Sequence, residues 1–228
     1  EDGILVRSAD MQEYGFSDAL RAIARAGAGT NNIPVARCSE AGIVVFNTPG
    51  ANANAVKELA VCALIMASRN VAAGTKWIDG QIAAGADIED VVEKGKAQFV
   101  GPELMGKSLG VIGLGAIGVQ VANIATKLGM TVYGYDPFLS VDAALSMSRL
   151  IHRAMDLETI YKNCDYITIH VPQNKETKGM INEDAIHMMK GGVRIINLAR
   201  GGLVIEDDIL AALENGKVAA YVTDFPTN

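Results

Sequence analysis

Three residue types in this chain sit where chemistry could be done: closely spaced glycines, an acid after a strand, and an arginine before a glycine pair. Gly113, Gly115 and Gly118 form a Gly-x-Gly-x-x-Gly run on the end of the apolar stretch Leu109–Ile112. Such a run suits a dinucleotide. Gly113 permits the tight turn out of a strand, Gly115 lets backbone approach a pyrophosphate, and Gly118 lets the following helix pack closely on the sheet. A helix predicted over 116–128 would aim its first amides, from Ala116 and Ile117 onward, and its positive end at the phosphates. A second apolar strand, 130–135, then ends in Asp136, near the roughly 20-residue spacing at which a ribose-binding acid is expected. Taken alone the triplet describes only a glycine-rich strand-to-helix turn; the flanking pattern is what makes it a nucleotide signal. Arg200 follows a predicted strand and precedes Gly201-Gly202. Its planar fork could hold a carboxylate bidentately at the carboxyl edge of a sheet. The bland alternative is a surface loop arginine.

The elements needed to position these groups alternate along the chain, which predicts a doubly wound parallel α/β sheet. Strands are expected at 4–6, 23–26, 43–46, around Val111, and at 132–135, 167–169, 193–197 and 220–223. A helix over 53–70 is apolar nearly all round, which marks it as buried between domains or subunits. Residues 71–102 are glycine-rich and mixed in charge and read as a connector. A helix over 206–215 should end at Gly216 in a left-handed cap. The domains expected are 1–52, a connecting helix and linker over 53–101, and 102–228.

Composition narrows the function classes. Among the 228 residues half are hydrophobic but only 5% aromatic, as a buried sheet of small aliphatic side chains requires. A net charge of −6 and a pI near 5.1 argue against a nucleic-acid partner. The longest apolar stretch is too short to span a bilayer, so no membrane partner is expected. The first residues show no signal-peptide pattern. Cys38, Cys62 and Cys164 are odd in number and lack CxxC spacing; no metal site is expected, and a reducing, cytoplasmic setting fits. Cys62, in the apolar helix, reads as a small buried hydrophobe. Of the three histidines only His170 falls at the ligand edge; His152 and His187 read as packing or surface residues.

Beyond these readings, the ordered series of motifs resembles the D-2-hydroxyacid dehydrogenase family. It comprises 4–8 (Ile-Leu-Val-Arg-Ser), 24–32, Phe46-Asn47-Thr48-Pro49, the Gly113 turn, Tyr135-Asp136-Pro137, His170-Val171-Pro172, 197–202 (Asn-Leu-Ala-Arg-Gly-Gly) and Asp224-Phe225-Pro226. The resemblance implies a Rossmann-type NAD-binding domain with part of a second, flavodoxin-like substrate domain over 1–52. It implies hydride transfer between a 2-hydroxy acid (or its 2-keto acid) and NAD, with 3-phosphoglycerate, as in serine biosynthesis, the substrate. Arg200 is then catalytic. Asp136 takes the adenosine ribose and repels the extra phosphate of NADP. His170, Val171, Pro172, Leu198 and Ala199 line the cofactor, and Asp224 contacts the nicotinamide carboxamide unless it only forms a turn. Arg7 and Arg25 lie near substrate unless they serve structural ion pairs, and Gly27-Ala28-Gly29 offers amides to the carboxylate; many relatives carry Thr at Ala28. The family plan places a catalytic Glu just past Asn228 and a catalytic His further on, and begins some dozens of residues earlier, so these 228 residues alone are not expected to turn over. A homodimer is implied, relatives associating through the 53–70 helix. The competing class is an NAD-binding regulatory module, like the corepressors built on this fold, without turnover.

Overall fold

The computed structural model describes residues 1–226; 227 and 228, the end of the expected last domain, lie outside the described residues. Two compact units divide the chain, Glu1–Ala55 and Val56–Asn228.

The first unit is a parallel three-stranded sheet of β1 (Gly3–Val6), β2 (Ala22–Arg25) and β3 (Val44–Phe46), in that spatial order, with α1 (Val35–Glu40) leading into β3. Val6, Ile23, Ile33, Cys38 and Ile43 form its core. Strict pairing (Leu5 with Ala24, Ala24 with Phe46) puts the three strand ends, and the loops that follow them, on one edge.

The second unit begins in effect with α2 (Ala53–Arg69), followed by α3 (Val71–Ala83) and α4 (Ile88–Gly95). The connector expected over 71–102 is therefore corrected to two helices and a 3-10 turn, Lys96–Phe99. Two of the glycines that suggested a linker, Gly95 and Gly101, are close-packed positions instead. A Cβ on Gly95 would lie 2.4 Å from the Trp77 ring, and Trp77 in turn stacks 5.2 Å from Phe99. Asp87 caps α4 by accepting the Glu89 amide. Helix α2 is not buried all round. Ala60, Ala63, Leu64 and Ala67 face the core, whereas Leu59, Ile65 and Met66 are 42–45% exposed. Cys62 lies on that outer stripe and is exposed, which corrects its reading as a buried hydrophobe. Apart from Leu64 the inner face is made of small alanines, which let the helix sit close to the sheet, while Leu59, Ile65 and Met66 are left outside.

The remaining elements build a six-stranded parallel sheet: β4 (Ser108–Ile112), α5 (Gly118–Lys127), β5 (Thr131–Tyr135), α6 (Val141–Ser146), β6 (Ile151–Arg153), α7 (Leu157–Asn163), β7 (Tyr166–Ile169), α8 (Glu183–Met188), β8 (Val193–Asn197), α9 (Glu206–Glu214) and β9 (Val218–Thr223). The order is β6-β5-β4-β7-β8-β9. The chain winds outward from β4 in one direction and then from β7 in the other, so the switch point lies between β4 and β7, where such sheets bind ligands at their carboxyl ends. Strand β6 escaped the sequence reading because it is short and exposes His152 and Arg153, as a protected edge strand does. His152 stacks on Tyr133 at 5.3 Å, and His187 lies on α8 with Nδ1 against the Glu183 carbonyl, both at the surface. Leu109, Val111, Ile167, Ile169, Ile195 and Ile196 are fully buried. Each such side chain contributes roughly 1.5–3 kcal/mol.

Polar ties lock the frame at the amino edge of this sheet. Asp165 accepts the Ser108 amide and hydroxyl at 2.8 Å and the Lys190 ammonium at 3.0 Å. Burial alone would raise its carboxyl; these three donors hold it below the ordinary value. Helix α2 is held by Ser68, whose hydroxyl meets Tyr166 Oη at 2.8 Å, and by Arg194, which donates to the Ala67 carbonyl at 2.9 Å. Asp156, Asn182 and Ser140 cap α7, α8 and α6. Helix α9 ends before Gly216, whose φ of 77° gives the left-handed cap expected from sequence.

Candidate functional site

The carboxyl ends of β4, β5, β7, β8 and β9 carry Gly113, Asp136, His170, Arg200 and Asp224 to one edge of the large sheet. The glycine turn shows why two of its three glycines are there. Gly113 has φ 93°, and a Cβ on it would stand 2.6 Å from the His170 carbonyl and 2.8 Å from Val171 Cγ1. The loops after β4 and β7 therefore touch across the switch point. A Cβ on Gly118 would fall 1.8 Å from the Gly113 carbonyl oxygen, so the first turn of α5 can pack back on the loop only without a side chain. Gly115 differs. A Cβ there would meet nothing within 4 Å. Its side faces open space, and among the described residues the amides of Gly115, Ala116 and Ile117 have no acceptor. Unfilled amides before an α-helix, beside a position where a methyl would intrude, fit the diphosphate of a dinucleotide.

Asp136 is half-buried where β5 ends. Its Oδ2 accepts the Leu114 amide at 2.8 Å, and its Oδ1 accepts the Phe138 amide at 2.8 Å. The first bond ties the acid directly to the glycine loop. Each oxygen keeps a lone pair free for a ribose hydroxyl.

His170 continues the ladder from β7, its amide donating to the Ile112 carbonyl at 2.7 Å. Nε2 lies 3.0 Å from the hydroxyl of buried Thr168. Burial pushes the imidazole down to about 4, so it is neutral at ordinary pH and a weak proton acceptor. The folded state thus resists protonation of a group that is free to protonate near 6.5 when unfolded. The stability this imidazole contributes is complete above pH 6.5 and is lost as pH falls from 6.5 toward 4. Urea unfolding should show wild type losing about 2–3 kcal/mol more than His170→Gln between pH 7 and pH 4.5. Equal losses would place His170 in a wetter setting. Beyond it Val171 is partly buried and Pro172 exposed, with the Pro172 carbonyl accepting the Thr177 hydroxyl at 2.6 Å.

The β8 loop holds a residue whose role the sequence reading did not single out. Asn197 is fully buried. Its Oδ1 accepts the Ala199 and Arg200 amides at 3.2 and 3.4 Å; its Nδ2 donates to the Arg200 carbonyl at 2.8 Å and to Tyr221 Oη at 3.4 Å. Leu198, Ala199 and Arg200 are thereby wound around one amide side chain anchored on β8 and β9. An Asn ending an apolar strand just before a loop is the usual signal of such a side-chain turn. The Arg200 guanidinium is exposed and donates to the Ala199 carbonyl at 2.6 Å. Gly201 lies against Phe225 and Gly202 against Gln173, so the loops after β7, β8 and β9 form one rim. Asp224 is exposed beside Phe225, whose amide bonds Thr223 Oγ1 at 3.1 Å.

In the first unit, the strand-end edge carries Arg7, Arg25 and the Gly27-Ala28-Gly29 loop. Asn47 Nδ2 donates to the Ala28 carbonyl at 2.7 Å, and the Thr48 amide to the Gly27 carbonyl at 3.0 Å. Arg25 Nε donates to Asn32 Oδ1 at 3.1 Å and its guanidinium lies over Gly27; Arg7 is exposed. No helix among the described residues is long and apolar enough to cross a membrane.

Known proteins are similar to this chain in sequence and fold. The family model described as D-isomer specific 2-hydroxyacid dehydrogenase, NAD binding domain, matches residues 61–228. D-3-phosphoglycerate dehydrogenase of Bacillus subtilis is 34% identical over 226 residues, 98% of this chain and 40% of that protein. Hydroxypyruvate reductase of Thermotoga maritima is 39% identical over 234 residues, 98% of this chain and 68% of that protein. The structure of NAD+-bound 3-phosphoglycerate dehydrogenase from Entamoeba histolytica superposes with a TM-score of 0.75 at 31% identity, covering all of this chain and 65% of that one. The chain spans 40% of the length of the Bacillus relative.

Proposed function

Because the chain belongs to the D-isomer specific 2-hydroxyacid dehydrogenase family and carries its NAD-binding domain, we propose that the full-length protein moves a hydride between C2 of a 2-hydroxy acid and NAD, with 3-phosphoglycerate the substrate. The observation that carries this is the rim itself: open amides of Gly115–Ile117, the Asp136 carboxylate and Arg200 on one sheet edge, with Arg200 wound onto buried Asn197. Bound NAD supplies the hydride acceptor. The protein's part is to hold and orient. Amides of the glycine turn take the diphosphate oxygens, and Asp136 takes the ribose hydroxyls. Val171, Pro172, Leu198 and Ala199 line the nicotinamide end, and Asp224 accepts from its carboxamide. Arg200 pairs with the substrate carboxylate and steadies charge developing on the C2 oxygen. Residues 1–52 serve as part of the substrate domain, Arg7, Arg25 and the Gly27-Ala28-Gly29 amides meeting the substrate's anionic groups. His170, bonded to Thr168 and hard to protonate, is not the base; the resemblance gives that role to a His–Glu pair beyond Asn228.

NADH formation from 3-phosphoglycerate by the full-length protein at alkaline pH tests the reading. NAD binding without reduction against 3-phosphoglycerate, glycerate or lactate would favour the regulatory module. Calorimetry should also show NAD bound in preference to NADP, with Asp136→Ala weakening NAD by about 1–3 kcal/mol. Equal affinities for the two cofactors would remove Asp136 from the ribose.

The exposed stripe Leu59, Cys62, Ile65 and Met66 recurs every three to four residues along α2, a spacing that suits burial against another helix. We read it as a subunit interface of a cytoplasmic homodimer. Sedimentation of the full-length protein should give a dimer at micromolar concentration, and Ile65→Lys should shift it to monomer. A wild-type monomer would refute the interface.

A further inference from the structure

Beside Asp136 stands a cation that the proposed function leaves unused. Arg153 ends β6 and is exposed. Its Cα is the register partner of Gly134, and the next amide, of Ala154, donates to the Gly134 carbonyl at 2.9 Å. Asp136 lies two residues beyond Gly134. With strands about 4.8 Å apart and a rise of about 3.3 Å per residue, the Arg153 and Asp136 Cα atoms are about 8 Å apart. Both side chains leave the sheet on the same face. A Cβ on Gly134 would meet Leu114 at 2.9 Å and Ile151 Cγ2 at 3.4 Å, so that face looks toward Leu114. Alternation along each strand puts Asp136 and Arg153 there too, and the Leu114 amide's bond to Asp136 agrees. A diagonal pair at this spacing is within reach of a long side chain. Among the described residues, however, the two charges are not paired. The carboxylate is turned to the Leu114 and Phe138 amides instead.

We propose that Arg153 is a latent anchor for a phosphate on the 2′ position of the cofactor's adenosine ribose. The inference rests on the reading that Asp136 takes the ribose hydroxyls. A 2′-phosphate replaces the hydroxyl nearest that carboxylate, and its oxygens then come within reach of the guanidinium, whose fork matches a phosphate bidentately. In the wild-type chain the Asp136 carboxylate repels such a group. Exclusion of NADP therefore rests on one carboxylate and is opposed by the arginine on the next strand.

The test uses two adenosine fragments that differ only at that position, 5′-AMP and adenosine 2′,5′-bisphosphate. Each is titrated calorimetrically into the full-length protein as wild type, Asp136→Ser, Arg153→Ala and the double variant. Asp136→Ser should raise the affinity for the bisphosphate, relative to 5′-AMP, about tenfold or more. Arg153→Ala in that background should erase the gain, a loss of about tenfold, and leave 5′-AMP within about twofold. Arg153→Lys should restore part of it, because the charge returns without the fork. The gain should also shrink as salt rises. A gain that survives without Arg153 would overturn the inference while leaving the ribose reading intact. If instead wild type ignores 5′-AMP, or Asp136→Ser leaves its affinity unchanged, the ribose reading falls and takes the inference with it.

Discussion

Arg200→Lys in the full-length protein is expected to lower kcat/KM for the proposed 2-hydroxy acid by about 10²–10³ and to leave NAD affinity within about twofold. Lysine keeps the positive charge but loses the planar fork, so one of two parallel hydrogen bonds to a carboxylate goes and the remaining donor is no longer fixed in direction. The main chain at position 200 is set by Asn197 through the residue's own amide and carbonyl, which the substitution does not touch. The loop therefore stays where it is, and the loss reports on the side chain alone. Steady-state kinetics with a cofactor titration on the same sample separates the two effects. Wild-type kinetics in the variant would refute the role given to Arg200.

The glycine turn yields a second large effect, and a contrast that checks its cause. Gly115→Ala should leave melting temperature and circular dichroism unchanged, because its methyl meets no protein atom within 4 Å. It should nevertheless weaken NAD binding by about 10²-fold or more, since the methyl occupies the path by which a diphosphate approaches the amides. Gly118→Ala should do both kinds of damage. Its methyl would lie 1.8 Å from the Gly113 carbonyl, a backbone atom that cannot swing aside, so the first turn of α5 must move. Overpacking of this kind costs about 1–3 kcal/mol or more, and the amides move with the helix. If Gly115→Ala binds NAD as wild type does, the diphosphate lies elsewhere. Calorimetry paired with thermal melts decides the matter.

Much of this was legible in the residues because several signals agreed at each point. The turn after β4 carries a strand, three glycines and a helix in a fixed order, and the structure gives Gly113 and Gly118 each a steric reason. Strands β7 and β8 were readable as buried aliphatic runs. The parts that were not legible depend on partners distant in sequence. The helices α3 and α4 looked like linker because glycine reads locally as flexibility, whereas Gly95 is glycine because Trp77 fills its side-chain space. The exposure of Cys62 followed from which face of α2 carries alanines. Strand β6 has one buried side chain, Ile151, too few for a periodic pattern. The bond from Leu114 to Asp136 is made by a backbone amide, which leaves no trace in side-chain type; the grip of Asn197 on the arginine loop is signalled by an Asn at a strand end, but its partners are not.

The cluster of Ser108, Asp165 and Lys190 fixes the strand ends farthest from the glycine turn and the Arg200 loop. A substitution that tightens the Asp165 ties acts at the opposite ends of the strands from the Gly113 turn, so it should firm the sheet without moving that turn, whereas a change at Gly118 disturbs packing and turn together.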